Sequence, residues 1–409
     1  MTTTDTIKNR NSSLHVGTGA LLDAARKLQP LIREEAAASE DLGQLTPRVV
    51  DALHQNGFFG MWLPSELGGS ELTPRQSLEV LEELTLADAS TGWVVMAACL
   101  STGTAGAYLP TPAMEKIFPR DGKRLNVIAG QGTRAGKAVP TKGGYKLTGQ
   151  WSFASGIKHS TYIHTAAAIE GTGEIRIFNL PVEEAKFTDN WDVMGLRATG
   201  SIDYELNDVF VPEDFSHPLL ILEPKRGGSL FRIGIINFAG ICHAGWALGV
   251  ARRMLNDLRD LTRAKMGRAA QNANHDSFQQ QYGLAEAKLR AARALLFETW
   301  ADLEDTLDRD EPLSTRQETL NRLALYNITW TANDISEFVF KAAGTTAIRE
   351  GAIQRYFRDM HTGTQHITSS PGVLQACGQE LAGLAEGKRW MFLSLVDAAS
   401  TPPSSGKAH

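Results

Sequence analysis

Leu147-Thr-Gly-Gln-Trp-Ser-Phe-Ala-Ser-Gly156, Trp191-Asp-Val-Met-Gly-Leu-Arg-Ala-Thr-Gly-Ser201 and Asp208-Val-Phe-Val-Pro212 decide how this chain is read. All three runs lie between about residues 125 and 215. There, short β-rich stretches (125–129, 144–149, 162–168, 175–179 and 203–211) alternate with glycine pairs and turn residues. Even strand spacing with such punctuation predicts a small antiparallel barrel or sandwich.

Outward from this segment the period changes to that of a helix. Toward the N-terminus, Ala20, Leu21, Ala24, Ala25 and Leu28 recur at helical spacing, and Pro47 opens a second helix that stops at Gly57. Leu78, Leu81 and Leu84 mark a third, and Trp93 to Ala98 begins a buried one. Beyond Ser229, long periodic segments at 284–303 and 316–342 with short connections fit an antiparallel bundle. The expected organisation is an N-terminal helical domain (1–124), a central β domain (125–222), a C-terminal helical bundle (223–400) and a disordered tail (401–409).

Composition sets outer limits on function. A formal charge of -5 argues against nucleic acid or an anionic membrane as partner. No apolar run reaches the roughly 20 residues that span a bilayer. The N-terminal MTTTDTIKNRNSS lacks an apolar h-region, so no signal peptide is expected. Cys99, Cys242 and Cys377 are far apart and set among apolar or small residues, which predicts buried thiols in a reducing cytoplasm. None has metal-ligand spacing.

The three opening runs, in this order and at these intervals, resemble the middle domain of the acyl-CoA dehydrogenase superfamily. The flanking helices fall where that fold has its N-terminal domain and C-terminal four-helix bundle. The resemblance implies an α+β, mainly α fold, with the first run beside a flavin ring and the second close behind it. Trp151, Phe153 and Trp191 supply the flat apolar wall that such a ring needs, and Ser155 a hydroxyl near N5. Gln131 joins them on the cofactor side. Taken singly, the same aromatics fit a barrel core. Arg263-Ala-Lys-Met-Gly267 is similar to the family's Arg-x-x-Phe-Gly element, in which the Arg reaches the flavin phosphate of a neighbouring subunit; a guanidinium suits that task. Only Gly344 remains of the Gly-Gly-x-Gly loop that dehydrogenases place against the cofactor.

An absence separates two activities within this superfamily. A dehydrogenase removes a weakly acidic α-proton and needs a carboxylate within reach. In the family it comes from the loop after the Arg-Asp pair, here Arg358-Asp359, or from the early bundle helix. Residues 360 through 379 and 224 through 256 contain no Asp or Glu. His366 stands eight residues after Arg358 instead. In this respect the chain resembles the two-component, reduced-flavin monooxygenases (group D) of the same fold, where a His at that spacing faces the flavin C4a position at which oxygen adds.

The resemblance implies reduced FAD or FMN, FADH2 favoured, and molecular oxygen as co-substrate. It also implies a separate NAD(P)H-flavin reductase, a homotetramer and a small aromatic substrate. No Gly-x-Gly-x-x-Gly fingerprint for NAD(P)H occurs in the chain, which fits reduction by a partner. Trp93, Met96, Phe231, Ile235 and Phe238 are expected to wall the substrate pocket, and indole or a related heterocycle is favoured over a phenol. Two other readings stay open: a dehydrogenase-type enzyme acting on a thioester with an unrecognised base, and a non-enzymatic assembly subunit.

Overall fold

The computed structural model describes residues 18–119, 124–264 and 267–398. The N-terminal part is helical: α1 (Thr18–Leu42), α2 (Pro47–Gln55), α3 (Pro74–Ala87), α4 (Ala89–Tyr108) and α5 (Thr111–Ile117). The helix starts follow local chemistry. Pro74 opens α3 behind a reciprocal cap between Thr73 and Gln76, and Asp88 ends α3 and caps α4 by accepting from Thr91 N at 2.8 Å.

The middle section holds β1 (Ile128–Thr141), β2 (Gly144–Trp151), β3 (Tyr162–Ile169), β4 (Ile175–Pro181), β5 (Lys186–Thr188), β6 (Asp203–Pro212) and β7 (Ser216–Pro218). They form one sheet in the order β5-β6-β2-β1-β3-β4-β7. This corrects the expected barrel. The sheet is open, with β5 and β7 at its edges, and β1 pairs with β3 in parallel. A parallel neighbour cannot be reached by a tight hairpin, so the chain between β2 and β3 must cross over. That crossover, 152–161, contains Phe153 and Ser155. The loop before β6 carries Trp191, Leu196, Thr199 and Ser201. Because Trp151 pairs with Tyr204, both loops leave the sheet at the same end.

The C-terminal part comprises α6 (Ala239–Arg263), α7 (Gly267–Asn272), α8 (Asp276–Asp308), α9 (Thr315–Ala343), α10 (Ala352–Gly363) and α11 (Pro371–Leu381), then an antiparallel hairpin of β8 (Lys388–Met391) and β9 (Ser394–Asp397) that the sequence reading did not foresee. The long helices of this part share one apolar core with α1, α3 and α4, while the sheet has its own core under α5. α4 and α6 therefore run through the middle of the molecule. Among the described residues no helix is long and apolar enough to cross a membrane.

Candidate active site

Two imidazoles meet where α6, α4 and the loop after α10 converge. His366, just beyond α10, stacks on His243 of α6 with ring centroids 3.9 Å apart and planes 26° from parallel. Trp93 of α4 stands edge-on to both, at 5.9 Å from His366 and 5.1 Å from His243. Trp246, one turn after His243, closes the other side of Trp93 at 5.0 Å. The approach of α10 depends on Gly363, since a Cβ there would lie 2.2 Å from the Trp246 ring.

Both rings are set deep yet keep part of their surface accessible. Burial pulls His366 down to about 4 and His243 well below the ordinary histidine range; on His243 the neighbouring His366 acts the same way, against the Ala239 carbonyl. No carboxylate figures among these influences, so both imidazoles are neutral at pH 7. Nδ1 of His366 accepts from Thr368 N and lies 2.8 Å from Thr368 Oγ1. In the neutral ring the proton then resides on Nε2, which is left as a donor.

Beside this pair runs a chain of hydroxyls whose direction follows from counting hydrogens. Thr199 Oγ1 donates to the Leu196 carbonyl at 2.7 Å. Its hydrogen is thereby used, so Ser201 donates to Thr199 at 2.7 Å and Ser155 donates to Ser201 at 2.7 Å. Trp93 Nε1–H donates to Ser155 Oγ at 3.0 Å. Ser155 is left with one free lone pair and no free hydrogen: toward a ligand it is an acceptor. The far end is anchored too. Leu196 N donates to Asp359 Oδ1 at 2.5 Å, Trp191 Nε1 donates to the Leu196 carbonyl at 3.0 Å, and Arg358 Nη1 holds the Met194 carbonyl at 2.7 Å.

The other residues singled out in the sequence divide clearly. Phe153 has φ 67° and is 65% exposed, with Trp191 edge-on at 6.0 Å and Met194 also exposed. A non-glycine residue in the left-handed region that presents bare apolar surface fits a wall waiting for a planar group. Trp151 does not belong to that wall. It is fully buried, stacked on Tyr204, with Nε1 bonded to the carbonyls of Arg134 and Ala166, and has no face to offer a ligand. Gln131 turns back on its own strand bulge, accepting from Thr133 N and Arg134 N.

Of the pocket residues only Trp93 reaches the histidines. Met96 and Phe231 are sealed in the helical core, and Phe238 packs there on Trp62. Ile235 lies instead in a small cluster against the sheet. Arg263 closes α6 with its side chain exposed, while Lys265 and Met266 of its motif lie outside the described residues. Gly344, at φ 60°, begins a turn on which α7 packs, so the Arg263 and Gly344 motifs are neighbours.

His243 was missed by the sequence reading. Its signal in the sequence is that it is the only histidine in the acid-free stretch 224–256.

Comparison with known proteins identifies the fold and the family. Residues 20–109 match the acyl-CoA dehydrogenase N-terminal domain and residues 241–371 the acyl-CoA dehydrogenase C-terminal domain. The chain is 26% identical to indole-3-acetate monooxygenase of Pseudomonas putida, over 89% of this chain and 92% of that one. It is also 26% identical to the flavin-dependent monooxygenase oxygenase subunit HsaA of Mycobacterium tuberculosis, over 86% and 92%. The crystal structure of that HsaA superposes with a TM-score of 0.83 at 23% identity, covering 92% of this chain and all of the other. XiaF from Streptomyces sp., solved with FADH2 and glycerol, superposes with a TM-score of 0.81 at 24% identity, over 90% and 96%. The chain belongs to the acyl-CoA dehydrogenase superfamily, with the oxygenase subunits of flavin-dependent monooxygenases.

Proposed function

We propose that the chain is the oxygenase component of a two-component system. It accepts reduced FAD or FMN, FADH2 favoured, from a separate NAD(P)H-flavin reductase, and with molecular oxygen hydroxylates a planar aromatic substrate, indole or a related heterocycle ahead of a phenol. The observation that carries this reading is the stacked pair His366–His243, two neutral imidazoles where a dehydrogenase needs a carboxylate.

The residues present fit a reduced flavin. Phe153, Trp191 and Met194 offer apolar wall, and Ser155 offers a lone pair. The reduced ring carries a hydrogen on N5 and the oxidised ring does not, so an acceptor at Ser155 suits the reduced state. Bound there, reduced flavin supplies the electrons that activate oxygen. The chain's own contribution is to hold Ser155 as an acceptor through the Trp93–Ser201–Thr199 chain, to aim the Nε2–H of His366 at an oxygen atom, and to keep water out with Trp93 and Trp246.

By the same reading the protein is a cytoplasmic homotetramer, with the C-terminal helices as a four-helix bundle and Arg263 reaching the flavin phosphate of a neighbouring subunit. Gel filtration with flavin titration tests that arrangement, because a dissociated subunit loses cofactor affinity. The activity is tested by mixing the protein with chemically reduced flavin, oxygen and an aromatic panel; indigo from indole is a visible positive. Tightly held oxidised FAD that an acyl-CoA bleaches would show a thioester dehydrogenase instead.

A further inference from the structure

A second pair of histidines lies on the sheet, away from the reactive pair. His164 of β3 is the register partner of Asn179 on β4, and His217 of β7 is the partner of Ile177, two residues before Asn179. Alternation along the strands therefore puts His164, Asn179 and His217 on one face of the sheet. All three are buried, with 3%, 0% and 1% of their surface exposed.

None of them is fully satisfied. His164 Nδ1, both amide atoms of Asn179 and His217 Nε2 have no hydrogen-bond partner. His217 Nδ1 is committed to the Pro218 carbonyl at 2.9 Å, which makes its Nε2 a bare acceptor. A buried polar group without a partner costs about 1–3 kcal/mol, and four such atoms lie on one patch across β3, β4 and β7. Burial keeps both rings neutral, His164 at about 3 and His217 at about 4. With a neutral amide beside them, the patch suits an uncharged group that both donates and accepts.

Two features connect the patch to the site. Leu100, Ile235 and Ile236 pack over the same sheet face with Ala166, Ile177 and Leu219. Leu100 follows Trp93 by seven residues, so both lie on one side of α4, about 10 Å apart along the helix. Gly132 lets β1 pack closely on the patch: a Cβ there would sit 3.1 Å from His164 Nε2 and 3.5 Å from Ile177 Cδ1.

We propose that His164, Asn179 and His217 form the distal end of the substrate pocket, a subsite for a neutral hydroxyl or carbonyl group on the aromatic substrate. The inference rests on the oxygenase reading above and names its substrate class: a bicyclic aromatic with an uncharged polar group at the end remote from oxygenation.

The test measures dissociation constants of indole and of the four hydroxyindoles substituted on the benzo ring, on protein loaded with reduced flavin under anaerobic conditions. Wild type should bind at least one hydroxyindole about tenfold or more tighter than indole. Asn179→Leu should erase that preference while raising Tm because unpartnered polar atoms are removed. Gly132→Ala, whose Cβ would press on His164 Nε2, should weaken the preference by displacing that ring. Equal binding of indole and every hydroxyindole by wild type overturns the proposal. So does a lowered Tm in Asn179→Leu with the preference unchanged, the signature of an internal water network. Turnover separates the two readings: product without a hydroxyl preference sinks only this subsite, whereas a hydroxyl preference with no oxygenated product from any aromatic sinks the oxygenase.

Discussion

The two histidine pairs respond differently to the same burial. On the sheet, His164 and His217 lie under strands and helices with unpartnered nitrogens and almost no exposed surface. At the junction of α4, α6 and the loop after α10, His366 and His243 keep some surface accessible, and His366 has its Nδ1 satisfied by Thr368. Burial holds the proton away from all four rings, but only the junction pair keeps accessible ring surface. Depth sets the charge state, and the remaining hydrogen-bond capacity sets what the ring can do.

Acid should give the largest effect, because it acts on both pairs at once. His54, His159, His217 and His366 are held at about 4 and His164 at about 3, mainly by burial. The unfolded chain protonates these groups near 6.5 while the folded chain does not, so stability is full above about pH 6.5 and falls as pH drops toward 4. The slope is at most about 1.4 kcal/mol per pH unit for each group. Thermal unfolding followed from pH 7.5 to 4.5 should show a steep fall with uptake of several protons. His164→Leu combined with His217→Leu should remove two protons from that uptake. An unchanged slope would show that the sheet pair is already protonated or wet.

Activity should separate the pairs. His366→Ala is expected to lower product formed per oxygen consumed by about a hundredfold, the usual scale for a positioned proton donor. Hydrogen peroxide should rise in step, and reduced-flavin affinity should change little. His243→Phe, which keeps a stacked ring, should cost about tenfold. If either substitution leaves coupling intact, the junction pair is packing and differs from the sheet pair only in exposure.

Ser155→Ala addresses the hydroxyl chain that lies beside only one of the pairs. Removing the acceptor should cost about tenfold in affinity for reduced flavin, one net hydrogen bond, and leave the weaker binding of oxidised flavin nearly unchanged. Trp93→Phe, which removes the donor feeding Ser155, should act in the same direction and less. Anaerobic titration against aerobic titration reads the ratio. Equal losses in both redox states would mean that Ser155 is a packing residue.

Local pattern made much of this legible and spatial convergence hid the rest. Helical periodicity gives α9 to within one residue at each end and the middle of α8 but neither of its ends, and the Gly-rich text of 147–156 and 191–201 marks the two loops that meet at one end of the sheet. The parallel β1–β3 pair was not legible, because pairing direction depends on where a crossover returns and no single strand records that. Trp151 and Phe153 stand two residues apart in one motif, yet the first ends a strand and points into the core while the second is turned outward by a positive φ. Composition cannot separate them. The roles of His243 and Asn179 rest on a partner that the fold brings across, His366 in one case and His164 in the other.

A last expected effect concerns the anchor that holds the junction loop. Asp359 is raised to about 8, first by burial and then by the nearby Asp88. Its Oδ1 accepts from Leu196 N, and its Oδ2 has no partner, as suits a protonated acid. The folded chain keeps that proton while the unfolded chain loses it near 3.8, so the acid costs stability progressively as pH rises from about 4 to 8 and no further above it. Asp359→Asn keeps a carbonyl acceptor for Leu196 and has no proton to lose. Its stability advantage over wild type should be small at pH 5 and grow by at most about 1.4 kcal/mol per pH unit up to pH 8, read as a widening Tm difference. A gain at pH 5 as large as at pH 8 would mean that Asp359 is ionised in the folded protein. The loop bearing Leu196, Thr199 and Ser201 would then be held by a charge rather than by a neutral hydrogen bond.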